Sequence, residues 1–106
     1  MIFICYSWRD AEVVHDVTKQ LAGMGRDVWI DSEHLNLDAP MDDQIRQALR
    51  KSSSVLLFDS PNSRRSKWVR RELAWAKGAG IDIVNWPIEN AEERLKWPNQ
   101  ALQAPI

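Results

Sequence analysis

The strongest constraint in this chain is an alternation. Four short, nearly continuous apolar runs are separated by longer stretches in which apolar residues recur at helical spacing. Ile2-Phe3-Ile4-Cys5-Tyr6, Asp27-Val28-Trp29-Ile30-Asp31, Val55-Leu56-Leu57-Phe58 and Ile81-Asp82-Ile83-Val84 read as strands. Continuous apolar runs suit strands covered on both faces. Between the first two, Val14, Val17, Leu21 and Met24 mark a helix capped by Ser7 or Asp10 and ended by Gly23 or Gly25. Ser32 to Ala39 reads as a polar loop carrying Leu35 and Leu37, and Pro40 is placed to open a helix with Met41, Ile45, Ala48 and Leu49 on its apolar stripe. Ser52 to Ser54 break that helix, and Asp59 to Arg65 read as a second loop. Ser66 then caps a helix with two stripes, Val69, Leu73 and Ala76 on one and Trp68, Glu72 and Trp75 on the other, ended by Gly78 and Gly80. Asn90 to Trp97 reads as a short, weaker helix and Pro98 to Ile106 as a tail. Such alternation predicts an α/β fold: a three-layer parallel sheet with right-handed crossovers and helices on both faces.

Bulk composition narrows the function classes. With 106 residues the expectation is one domain, 1–106, with its core in about 2–88. A formal net charge of −1 gives no strong pull toward nucleic acid or anionic membrane. The one cysteine, Cys5, has no internal disulfide partner, which fits a reducing, cytoplasmic setting. No apolar run reaches the roughly 20 residues of a membrane span, and MIFICYSW lacks the basic leader and cleavage site of a signal peptide. Six tryptophans (Trp8, Trp29, Trp68, Trp75, Trp86 and Trp97) are many for this length. Some must sit at the core's edge, as a docking surface or as the wall of a pocket that stacks flat ligands.

Parallel α/β sheets bind ligands beyond the carboxyl ends of their strands, where strand order reverses. That rule selects Tyr6, Ser7, Trp8, Arg9 and Asp10 after the first strand, Asp31 after the second, Asp59 and Ser60 after the third, and Trp68 and Glu72 in the opening turns of the third helix. GxGxxG and GxxxxGK[ST] are both absent. His15 and His34, with a single cysteine, make no metal-ligand spacing, so no metal is expected. Cys5, inside a strand, reads as a packing residue.

Four segments in register carry a resemblance. Phe3-Ile4-Cys5-Tyr6-Ser7-Trp8-Arg9-Asp10 resembles the opening motif of TIR (Toll/interleukin receptor) domains. Gly25 to Asp31 resembles the second TIR strand and its closing aspartate. Ile45 to Ser60 resembles the family's helix, third strand and Ser-Pro-Asn. Ser66 to Leu73 resembles Ser-x-Trp-x-x-x-Glu-Leu. The resemblance covers about residues 2–88 and implies a flavodoxin-like strand order, 2-1-3-4-5, with four strands recognisable here and the fifth, an edge strand, missing. In the bacterial-type NAD-cleaving members, the glutamate of Trp-x-x-x-Glu is catalytic; carried over, it is Glu72. The family's loop after the second strand, here Ser32 to Asp43, borders the cleft and takes part in self-assembly. It usually has a glycine after its proline, where this chain has Met41. Loss of the fifth strand would expose strand four to pairing with a partner chain.

The chemistry fits a single carboxylate. Nicotinamide leaves NAD as a neutral molecule from a cationic ring, so the proton-donating half of a glycosidase carboxyl pair is unnecessary. A carboxylate then has only the oxocarbenium-like ribose to stabilise. Trp8, Trp29 or Trp68 would stack a ring, Ser7, Ser60 and Asp31 would hold hydroxyls, and Arg9 would meet the diphosphate. NAD is here a substrate, with no resident cofactor. Plainer readings stand beside these: Glu72 as a rim carboxylate paired with Arg9 or Lys67, Trp68 and Trp75 as core, and Arg64, Arg65, Lys67, Arg70 and Arg71 as a solvated face. Two other functions remain open, a non-catalytic module recruiting other TIR domains and a deoxyribosyltransferase-like enzyme acting on free nucleosides.

Overall fold

β1 (Ile2–Cys5) is buried along its whole length because it lies inside the sheet and alternates between two cores. In the computed structural model, which describes residues 1–88, Ile2, Ile4 and Tyr6 join one cluster, and Phe3 and Cys5 join the other. β2 (Val28–Trp29) pairs with one side of β1, in register Ile2 with Val28. β3 (Ser54–Asp59) pairs with the other side, Cys5 opposite Leu57. β4 (Asp82–Pro87) lies outside β3. All pairs are parallel, and the order is β2-β1-β3-β4. The chain leaves β1 in one direction for β2 and returns past it to β3, so the switch point falls between β1 and β3.

Among the described residues, one helix covers the first face. α1 (Ala11–Gly23) buries Val14, Val17 and Leu21 against Ile4, Leu56, Phe58 and Trp86. Two helices cover the other face: α3 (Met41–Lys51) through Ile45, Ala48 and Leu49, and α5 (Lys67–Gly78) through Val69 and Ala76. Two short helices complete the described chain, α2 (Asp31–His34) and α4 (Pro61–Arg65). α1 ends where Gly25 takes φ +82°, a conformation in which a side chain would be strained. The Ser66 side chain accepts the Val69 amide and starts α5, as its position before an apolar-periodic run predicts.

Several expectations change in detail. Trp8–Asp10 forms a 3-10 turn whose cap is Ser7, and α1 begins only at Ala11. Met24 lies past the end of α1 and is exposed, not on its core stripe. The stretch read as loop 32–39 opens with α2, and the stretch read as loop 59–65 contains α4. Ser60 and Ser63 cap that short helix reciprocally, a device too local to show in hydrophobic periodicity. Pro40 precedes the first residue of α3 as its cap rather than occupying it. β4 runs on to Pro87 and carries Trp86, which is fully buried and meets Phe58 edge-on at 4.8 Å. The expected helix at 90–97, the tail at 98–106 and the question of a fifth strand lie outside the described residues.

Candidate functional site

β1 and β2 deliver their following residues to the same edge of the sheet. Asp31 is the junction there. It is buried at the start of α2, and its carboxylate accepts the Tyr6 hydroxyl at 2.7 Å and the Trp8 indole N–H at 2.7 Å. One carboxylate thus fixes a phenol from the first strand's end and an indole from the turn after it. Burial, the hydrogen bond to Asp31 and its negative charge all push the Tyr6 phenol well above the usual range. The Trp8 ring is 62% exposed although its N–H is held. A large aromatic fixed at one end and open on its face is built to meet something flat.

Two hollows adjoin Trp8. The larger, about 420 Å³, is bounded by Tyr6, Trp8, His15, Asp31, Leu35 and Met41. The smaller, about 320 Å³, is bounded by Tyr6, Ser7, Trp8, Arg9, Ser66 and Trp68. Trp8 stands between them, its ring 6.1 Å from that of Trp68 and tilted by 47°. Arg9 is exposed and borders the smaller hollow, where a diphosphate could meet it.

Glu72 lies behind this edge, one turn along α5 from Trp68. It is 4% exposed, so it is not a rim carboxylate, and it forms no ion pair with Arg9 or Lys67. It also borders neither hollow. The Cys5 thiol donates to its Oε1 at 3.4 Å. Burial pushes its carboxyl up to about 8, and the charge of Asp31 adds to that; the Cys5 hydrogen bond, the Arg71 guanidinium and Trp68 oppose the shift. The Cys5 thiol is itself raised, first by burial and then by the Glu72 charge. The direction of that shift favours the neutral carboxylic acid form of Glu72.

The remaining candidates divide. Trp29 belongs to the packing: its ring stacks on Phe3 at 5.0 Å and neighbours His34, away from both hollows. Ser60 is occupied, donating to Asp10 at 2.6 Å and capping α4. Asp10 also accepts from Asn62 at 2.8 Å, which ties the turn after β1 to the loop after β3. The basic run is a surface face with internal partners. Arg64 forms a two-pronged pair with Asp59, and Arg71 pairs with Asp42 while its guanidinium lies over Trp68 and Trp75. His15 was not a site candidate from sequence, yet it borders the larger hollow and sits 3.0 Å from the Ser32 hydroxyl. Nothing at helical spacing distinguishes it from a solvated histidine; only the position of α2 brings Ser32 to it. Among the described residues no group of three or more acids, histidines or cysteines forms a metal-binding cluster, and no helix is long and apolar enough to cross a membrane.

Comparisons with known proteins bear on the fold. No curated protein matches the sequence at a significant level. Among solved structures, the TIR domain of the Toll-related receptor TRR-2 from the lower metazoan Hydra magnipapillata superposes with a TM-score of 0.77. That match covers 93% of each chain at 16% sequence identity, so it speaks for the fold. The family profile described as the TIR domain matches residues 2–99. With that profile spanning nearly the whole sequence, this chain belongs to the TIR domain family.

Proposed function

We propose that this protein cleaves the nicotinamide–ribose bond of NAD, with Glu72 as the carboxylate that stabilises the ribosyl cation. TIR domains serve in signal transduction through contacts with one another, and the family includes NAD-cleaving members. One observation carries the choice between those roles. Glu72 is a buried acid whose hydrogen-bonding neighbours, the Cys5 thiol and Trp68, carry no charge, and whose neighbour across the site is another acid, Asp31. A structural carboxylate in that position is a liability, because the fold supplies too little positive charge to hold it ionised. Strongly shifted acids beside an aromatic cleft mark functional sites.

The electrostatics also suit the substrate. The bound pyridinium brings a positive charge to a site holding two acids, which favours ionised Glu72 in the complex. The C1′–N bond then breaks with its electron pair going to the ring nitrogen, and nicotinamide leaves neutral. The Glu72 carboxylate faces the electron-poor C1′ until water, or a hydroxyl or amine of the same molecule, adds there and loses its proton to Glu72 or to solvent. Trp8 and Trp68 supply stacking faces at the smaller hollow, and Trp68 also neighbours Glu72; the carboxyl, which borders neither hollow, is reached only after a side-chain rearrangement. NAD is the substrate, and no resident cofactor takes part. The setting is cytoplasmic, with loop 32–43 and the sheet edge as self-association surfaces.

The test is nicotinamide release from NAD by concentrated protein, with free nucleosides as competing substrates. Release from NAD alone supports the proposal; cleavage of free nucleosides alone selects a deoxyribosyltransferase-like enzyme. A second reading, a non-catalytic recruiting module, draws on the exposed Trp8 and on Leu37, which is 82% exposed. Self-association unaffected by Glu72→Gln, with no turnover, would select it.

A further inference from the structure

The loop between α2 and α3 turns without any left-handed residue. Among the described residues, positive φ occurs only at Gly25 and Gly80. Tight loops commonly use glycine for that conformation; here side chains close the turn. Asn36 Oδ1 accepts the Asp38 amide at 3.0 Å. Gln44, in the first turns of α3, reaches back across the loop. Its Oε1 accepts the Asn36 N–H at 2.7 Å, and its Nε2 donates to the Asn36 carbonyl at 2.6 Å. The Ala39 and Pro40 carbonyls lie 3.2 and 3.4 Å from the same nitrogen. A primary amide, donor and acceptor at once, matches this arrangement; an ionised carboxylate, acceptor only, does not. Leu35, Leu37 and Met41, on and beside the stapled stretch, border the larger hollow with Trp8. Leu37 is too exposed for its own packing to hold the loop.

We propose that Gln44 is a positioning residue: it staples loop 36–40 as the outer wall of the cleft, so ligand affinity depends on a side chain placed behind that wall. The kinetic part rests on the NAD-cleavage reading, while the structural part stands without it. The experiment follows amide hydrogen exchange and nicotinamide release in the full chain, comparing wild type, Gln44→Ala and Gln44→Glu. In Gln44→Ala the Asn36 amide should exchange at least about tenfold faster while β1 and β3 amides keep their protection. KM for NAD should rise several-fold with kcat within about twofold of wild type. Gln44→Glu should hold the loop at a pH that protonates the new carboxyl and release it once ionised, because the charged form is repelled by the three carbonyls. Unchanged Asn36 exchange in Gln44→Ala overturns the proposal, as does faster exchange throughout the core, which would make Gln44 a general stabiliser. If wild type releases no nicotinamide, the functional reading fails and the exchange data alone decide the staple.

Discussion

Replacing Glu72 with glutamine should make the fold more stable, and increasingly so as pH rises. Glu72 has a folded-state pKa of about 8 against an ordinary value of 4.5. Between those values the native state holds a proton that the unfolded chain has lost, so native stability falls as pH rises through this window. Each unit of pH in the window removes about 1.4 kcal/mol, so wild type loses roughly 2–4 kcal/mol between pH 4.5 and 7 that the glutamine variant keeps. For a domain of this size that corresponds to a difference in Tm growing by on the order of 10 °C. The absolute offset between the proteins also contains the cost of burying an amide, whose N–H groups need acceptors. The slope with pH is free of that constant. The assay is thermal and urea denaturation of both proteins from pH 4.5 to 8.5. A stability difference that stays flat across the range would mean that Glu72 titrates alike folded and unfolded, and that burial does not raise its carboxyl.

Three further outcomes are expected. Nicotinamide release should show kcat/KM rising with pH toward a midpoint near 8, the free protein's Glu72, with the kcat midpoint lower because the pyridinium stabilises the carboxylate; parallel pH-independent profiles would contradict this. Asp31→Asn should free one of the two donors now held at 2.7 Å, costing about 1–3 kcal/mol in denaturation and speeding exchange of the Trp8 indole N–H; an unchanged indole resonance would show that Asp31 does not fix the ring. Ser66→Ala removes the cap on the Val69 amide and should cost about 1 kcal/mol, read as a shifted denaturation midpoint at constant slope, while Ser66→Asn should cost a few tenths at most.

The fold was legible because its signals are repeated along the chain. Four apolar runs and three amphipathic helices point to a parallel α/β sheet with right-handed crossovers; the order β2-β1-β3-β4 agrees with the one the TIR resemblance implies, which the periodicity alone does not select. α2 and α4 were not legible, since a helix of one turn has no periodicity and is set by capping partners such as Ser60 and Ser63. The strand-end rule does gather Tyr6, Ser7, Trp8, Arg9, Asp31 and Trp68 around the two hollows of the candidate site. Depth was not. A rim glutamate and a buried one share the same sequence context, and what separates them is Cys5 packing against α5 within the core that α3 and α5 cover. Trp29 and Ser60 sit near strand ends like the others, but stacking on Phe3 and capping α4 already occupy them.

On the proposed function, NAD cleavage is the reason the fold retains a destabilising buried carboxyl. The most direct measurement is nicotinamide release at pH 8 by Glu72→Gln and wild type, each shown to be folded under the assay conditions. The variant, although it melts higher, should release nicotinamide on the order of 10²-fold more slowly or worse. Equal rates from the two proteins, or no release from either, would contradict it.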